Sequence, residues 1–239
     1  MLHGAERDAV DLNFARPADC AAQIERDEAD VGLVPVAEIA RQGLDTIPGL
    51  GIACRGAVRS ILLVARVPWK QVATLAADAN SRTSVRLAEI ILRERHGVVP
   101  QITAHAPDLE TMLEVADAAL LIGDAALRVE PDRLAFECLD LGAAWFALTG
   151  LPMVFAMWAG QPGAALDLLV DTVRASYEFG RLHIDEIVDQ EHANRGISKP
   201  LAAKYLREHI RYIVGPKEHE GLETFFELAG LTRSAAVTR

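Results

Sequence analysis

Short apolar runs alternate with segments of helical period along most of this chain. Residues 17–28 predict a helix, with Pro17 and Asp19 suited to its first turn. Val31 to Val34 predicts a short strand, and Pro35 lacks an N–H donor, which is harmless where a new helix starts. Residues 44–57 are rich in Gly and Pro and predict loop or irregular strand. The unbroken run SILLVAR (60–66) predicts a strand covered on both faces. Val72 to Ala77 predicts another strand. It leads into a helix capped by Ser or Thr, carrying Leu87, Ala88, Ile91 and Leu92 on its apolar side and ending at Gly97. A strand over Val98 to Ala104, a helix over 106–117, a strand and tight turn into helix or loop over 119–127, a short helix or helix-like loop over 141–150 and a strand over 153–159 follow. Beyond Pro162 the pattern is helical over 163–179, 184–193, 199–208 and 217–229, with breaks near Gly180, Gly196 and Gly215.

Alternating strands and helices followed by a helical tail predict an α/β fold of parallel sheets with helices on their faces. Proline-bearing stretches near 67–73 and 151–156 divide the chain. The expected organisation is two lobes. Residues 1–70 begin the first, 71–154 form an inserted α/β lobe, and 155–239 return to the first and add the C-terminal helices. A cleft between lobes is a natural place for a small ligand.

Composition narrows the function classes. The 239 residues are 51% hydrophobic and 24% charged, a globular balance. A net charge of -10 disfavours nucleic acid and anionic membranes as partners. It leaves room for a small anionic substrate, because a local cluster of N–H groups and arginines outweighs a distant negative surface. Cys20, Cys54 and Cys138 are odd in number and in no paired pattern, which reads as free thiols in a reducing compartment. The opening MLHGAERDAVDLNF has no apolar core fit for a signal peptide, and no apolar run approaches a membrane span. The expected location is the cytoplasm, as a monomer or homodimer.

Three polar constellations stand out. Asn80-Ser81-Arg82-Thr83-Ser84 follows a strand and opens a helix. Unpaired helix-start N–H groups, hydroxyls and a guanidinium together suit a carboxylate, although simple capping with a solvated Arg82 uses the same residues. Ser60, in Arg55-Gly56-Ala57-Val58-Arg59-Ser60, stands at the edge of a strand, facing a cleft or serving as an ordinary loop hydroxyl. Gly123 and Asp124 end a strand, where an acid either meets a ligand or caps the next helix.

Other candidates carry less. His183, Asp185, Glu186 and His192 lack the H-E-x-x-H spacing, so no metal is expected there. His3, His96, His105, His209 and His219 have no partner pattern, and Trp69, Trp145 and Trp158 read as packing residues. No phosphate-binding glycine motif or G-x-S-x-G elbow is present, which weakens nucleotide and hydrolase readings.

Several long segments, in order, add a resemblance. DVGLVP (30–35), RGAVRSILLVARVP (55–68), SRTSVRLAEIILRERHGVVP (81–100), ADAALLIGDAALR (116–128) and LGAAWFALTGLPMVFAMWA (141–159) closely resemble the chorismate dehydratase family of the futalosine route to menaquinone. That family is built like the type-2 periplasmic solute-binding proteins. The resemblance implies two α/β lobes around a central cleft, chorismate as substrate, and neither metal nor organic cofactor. It implies that Ser60 is an active-site residue, that Ser81, Arg82, Thr83 and Ser84 line the substrate's carboxylate region, and that Gly123 and Asp124 lie at the cleft.

Family members open with a strand, then an aromatic residue and Leu-Asn, whose asparagine belongs to the active site. Asp11-Leu12-Asn13-Phe14 echoes this, but it stands too close to DVGLVP and no apolar strand precedes it. Asn13 is therefore not expected to inherit the role, and roughly 20 to 30 N-terminal residues, enough for the family's first strand and a turn of helix, are expected to be missing. Two alternatives stand beside the dehydratase: an enzyme like 1,4-dihydroxy-6-naphthoate synthase of the same pathway, and a small-anion-binding protein without catalysis. The RGAVRS and SRTSVRLAE blocks favour the dehydratase over the first.

Overall fold

The computed structural model describes residues 8, 10–78, 81–164 and 166–231. In chain order the elements are α1 (Pro17–Glu25), β1 (Val31–Pro35), α2 (Val36–Gln42), β2 (Asp45–Cys54), β3 (Ile61–Ala65), β4 (Thr74–Ala77), α3 (Arg82–His96), β5 (Gln101–Ala104), α4 (Leu109–Val115), β6 (Ala118–Ile122), α5 (Asp124–Arg128), β7 (Glu137–Asp140), α6 (Leu141–Thr149) and β8 (Met153–Gly160). The tail contains α7 (Asp167–Leu182), α8 (Ile184–Glu191), α9 (Lys199–Lys204), a π-helical turn (Tyr205–His209), β9 (Arg211–Ile213) and α10 (Pro216–Ala229).

Two sheets result. One has four strands in the order β1-β8-β2-β9, and the other five in the order β5-β4-β6-β3-β7. The chain crosses between them at 55–60, after β2, and at 141–152, before β8. The strand at 61–65, expected in the first lobe, therefore belongs to the five-stranded sheet, where it pairs with β6 and β7. The expectation of parallel sheets also needs correction. Every pair in the four-stranded sheet is antiparallel, and in the other only β4 runs parallel to its neighbours β5 and β6.

Local chemistry explains the central elements. All five residues of β3 are buried, as an uninterrupted Ile-Leu-Leu-Val-Ala run requires. Ser81 caps α3 by accepting from Ser84 N–H, and Gly97 closes it with φ 70°, a backbone position that a side chain disfavours. Asp140 caps α6. The break expected near Gly180 falls three residues later, at His183: α7 runs through Gly180 to Leu182 and α8 starts at Ile184. A Cβ at Gly180 would meet open space, so this glycine relieves no crowding and only weakens the helix locally.

One continuous core joins the sheets. Val34, Met157 and Ala159 from the first pack in the same cluster as Ile61, Leu63, Leu75 and Leu120 from the second, with Leu87, Ile91, Trp145 and Phe225 supplied by helices. Trp145 and Phe225 meet edge to face, ring centroids 6.2 Å apart, and the Trp145 indole donates to Pro152 O. A smaller cluster of Leu62, Val64, Met112, Leu113 and Leu121 fills the other face of the five-stranded sheet. Among the described residues no helix is long and apolar enough to cross a membrane.

Candidate functional site

The topology of the five-stranded sheet gathers the polar constellations. β4 and β6 run parallel, so the start of α3, just past β4, and Gly123, just past β6, lie at one end. β3 runs antiparallel to β6, with Ile61 opposite Ile122, which brings Ser60 to that same end. Gly123 N–H donates to Ser60 O at 2.7 Å. Ser60, Gly123, Asp124 and Ser81–Ser84 thus share the carboxyl ends of the parallel strands, the usual ligand position in such folds. Asn80 and His3 lie outside the described residues.

The loop carrying Ser60 is tightly held. The Asp140 carboxylate accepts from Val58 N–H at 3.0 Å and Arg59 N–H at 2.6 Å while also capping α6 through Ala143 N–H. Arg59 adopts φ 66°, an uncommon backbone position for a residue with a side chain. Its guanidinium donates to the carbonyls of Ala126, Leu127 and Val129, tying the loop to the end of α5. Ser60, 5% exposed, follows directly. Its Oγ lies 3.1 Å from the Tyr205 hydroxyl, which donates to it. From the same π-helical turn, His209 Nδ1 donates to Ala57 O at 3.0 Å. Burial pushes the Tyr205 phenol above its ordinary range.

The start of α3 meets the other sheet's helices. Thr83 Oγ1, 1% exposed, accepts from Ala37 N–H at 3.2 Å, near the start of α2. Ser84, 2% exposed, receives a hydrogen bond from the Ser81 hydroxyl at 2.9 Å. Arg82 is the outward member of the group. Its side chain is 62% exposed, and Nε stands 3.0 Å from Oε1 of buried Glu38. The N–H does not point along that line, so the contact is an ion pair and Glu38 Oε1 has no hydrogen bond. The other carboxylate oxygen of Glu38 receives Arg41 Nε at 2.8 Å.

Thr83 thus joins α2 to α3 through its acceptor oxygen, and Ser81 caps α3. Arg82 and the helix start remain the groups best placed for an anion. A cavity of about 410 Å³, lined by Arg82, Arg86 and Glu89 with Ala77, Val85, Ile102 and Ala104, opens beside Arg82, which is its one lining residue among the candidates. Asp124 pairs with Arg195 at 3.1 Å, which offsets its negative charge near an anion.

A larger cavity, about 570 Å³, lies elsewhere, between the face of the four-stranded sheet and α7, α8 and the π-helical turn. It contains none of the seven candidate residues. Its lining is mainly apolar, including Leu33, Ile52, Trp158 and Ile184, and its Arg181 and Arg207 already pair with Glu178 and Asp185. Convergent polar groups define a site better than volume does, so the sheet end is the stronger candidate. Asn13 is exposed in the segment before α1. Among the described residues no group of three or more His, Cys, Asp or Glu side chains is arranged to hold a metal ion. His183 instead shares a hydrogen bond with Phe179 O, and His192 one with Ile197 O.

Tyr205, His209 and Arg195 reach this end of the sheet without any motif in the sequence. The available signal was two polar rings four residues apart, a spacing that brings side chains to one helix face.

Comparison with known proteins identifies the family and the fold. Residues 1–230 match the family model described as menaquinone biosynthesis. The chain is 29% identical over 207 residues to the chorismate dehydratase of Thermus thermophilus, covering 80% of this chain and 75% of that protein. A crystal structure of a protein from Archaeoglobus fulgidus superposes with a TM-score of 0.72 at 17% identity, covering 91% of this chain and 84% of the other. The periplasmic aliphatic sulphonate binding protein of Escherichia coli superposes with a TM-score of 0.62 at 15% identity, covering 91% and 74%. The chain belongs to the menaquinone biosynthesis family, on an α/β fold that resembles the two-lobed type-2 periplasmic binding proteins.

Proposed function

We propose that this protein dehydrates chorismate to 3-[(1-carboxyvinyl)oxy]benzoate. The observation carrying the reading is the meeting of Ser60, Gly123 and the α3 start at one sheet end, in a chain related to a chorismate dehydratase. Chorismate bears two carboxylates, a ring diene and a C4 hydroxyl. Loss of the C3 proton and the C4 hydroxide makes the ring aromatic and releases one water. The driving force is built into the substrate, so the protein's task is orientation and charge stabilisation.

In this reading the α3 start and Arg82 hold one carboxylate, through unpaired helix-start N–H groups and a guanidinium. Ser60 supplies a hydrogen bond to the departing oxygen or to the enolpyruvyl carboxylate. No histidine stands in the segments carrying the resemblance other than His96, at the far end of α3. The substrate's own enolpyruvyl carboxylate, close to C3, serves as the base. A substrate complex with Asp124 within hydrogen-bond reach of the C3 hydrogen would replace that assignment.

The test is incubation with chorismate while following aromatic absorbance, with product identity checked by mass. A new aromatic product lighter than chorismate by one water supports the reading, and no conversion refutes it. The likeness to a sulphonate binding protein favours a second reading, anion binding without turnover. Saturable chorismate binding with no product would select it.

A further inference from the structure

We propose that Tyr205 is a positioning residue that fixes the Ser60 hydroxyl for the dehydration. The inference rests on the chorismate reading above and adds a residue that neither the sequence pattern nor the family likeness singled out.

Geometry carries it. A serine hydroxyl turns freely about its Cβ–Oγ bond unless a partner fixes it. Between two hydroxyls, the phenol is the more acidic and the better donor. With Tyr205 donating to Ser60 Oγ at 3.1 Å, one lone pair of that oxygen is taken. The serine's own proton is then free to be donated to a ligand oxygen. This is the polarity needed at a leaving hydroxide or a carboxylate, both of which accept.

The element carrying Tyr205 is itself held in place. Tyr205 and His209 both lie on the π-helical turn, and both reach the 57–60 loop, His209 through Ala57 O. Such turns occur disproportionately at functional sites. The Tyr205 ring packs against the main core, and the turn continues directly from α9, whose start is capped by Ser198. On the other side, Asp140 and the Arg59 guanidinium hold the serine loop. Each side of the hydrogen bond thus rests on structure that is fixed without it. The bond's own role is to set direction rather than to hold elements together.

The test is a double-mutant cycle in the full chain, with Tyr205→Phe, Ser60→Ala and the combined variant assayed on chorismate. Phenylalanine keeps the ring and removes only the hydroxyl. Tyr205→Phe is expected to lower kcat about tenfold, the scale of one hydrogen bond, with KM within about twofold and the melting temperature nearly unchanged. In the Ser60→Ala background the same change should have no further effect on kcat, because the group it orients is gone. A merely structural tyrosine would lower melting and affect both backgrounds alike. Unchanged kcat in Tyr205→Phe, or equal losses in the two backgrounds, would overturn the proposal while leaving the chorismate reading intact. Absence of chorismate turnover in the wild type would overturn both.

Discussion

Arg82 Nε stands 3.0 Å from Oε1 of Glu38, a residue that is 5% exposed and belongs to α2, across the junction between the two sheets. A buried carboxylate therefore occupies the guanidinium proposed to hold the substrate. Glu38 keeps a second cation, Arg41, so it does not depend on Arg82 for charge compensation. Glu38→Gln removes a competitor for Arg82 without emptying the position. It is expected to tighten chorismate binding severalfold, whereas Arg82→Ala should weaken it about tenfold or more. Calorimetric titration of the two variants checks this, and equal affinity in both would place Arg82 outside the binding site.

Ser60→Ala should reduce turnover by about 10²–10³-fold, the loss expected when one well-placed transition-state donor is removed. Melting should barely move, since a small hydroxyl adds little packing. Steady-state kinetics beside a thermal melt separates the two effects, and near-wild-type turnover would remove Ser60 from the active site.

Ser81 allows capping to be told from binding. Aspartate is as good a helix cap as serine and favours the positive end of the helix dipole, so Ser81→Asp should melt at or above the wild type. Its added negative charge should repel the substrate carboxylate and raise KM for chorismate about tenfold or more. An unchanged KM would mean that this helix start only caps.

Thr83→Ala should act chiefly on stability. It leaves the buried Ala37 N–H without its acceptor, a loss of about 1–3 kcal/mol, while Thr83→Ser keeps the oxygen and most of the stability. Urea unfolding of the pair measures the difference. Equal destabilisation would trace the effect to the methyl group rather than the hydrogen bond.

Alkaline pH should weaken the fold through a buried thiol. Burial, reinforced by the Asp140 carboxylate, raises Cys54 from 9.0 to about 12. Below pH 9.0 folded and unfolded chains both hold the proton, so the thiol adds no pH dependence there. Above that the unfolded chain ionises first, and stability falls until the folded thiol also ionises, near pH 12. Tyr212, raised by burial from 10.0 to about 12, acts in the same direction. Urea midpoints followed across this window should fall less steeply in Cys54→Ala than in the wild type.

The sequence was most legible where one local pattern decided the outcome. The apolar run of β3, the cap at Ser81 and the stop at Gly97 all appear as expected. β7 (Glu-Cys-Leu-Asp) and β9 (Arg-Tyr-Ile) were not anticipated, because both are short edge strands whose pairing depends on distant neighbours. Strand direction is not legible for the same reason: it is set by which distant run lies alongside. In the candidate site, Ser60 and Ser81–Ser84 belong to recognisable strand and helix boundaries. Tyr205 does not, since its relation to Ser60 spans 145 residues and depends on how the tail returns to the fold.

Asp140 gives the two crossings between the sheets a common fastening. Its carboxylate holds Val58 and Arg59 on the outgoing segment and the first turn of α6 on the returning one. Gly142 keeps them in close register, since a Cβ there would lie 2.6 Å from Gly56 O. The polypeptide thus passes from one sheet to the other and back through a single clasp, and the proposed reactive hydroxyl is one residue away. Whatever loosens that clasp disturbs the alignment of the halves and the aim of Ser60 together, so damage at position 140 or 142 would register as lost cohesion and lost turnover at once.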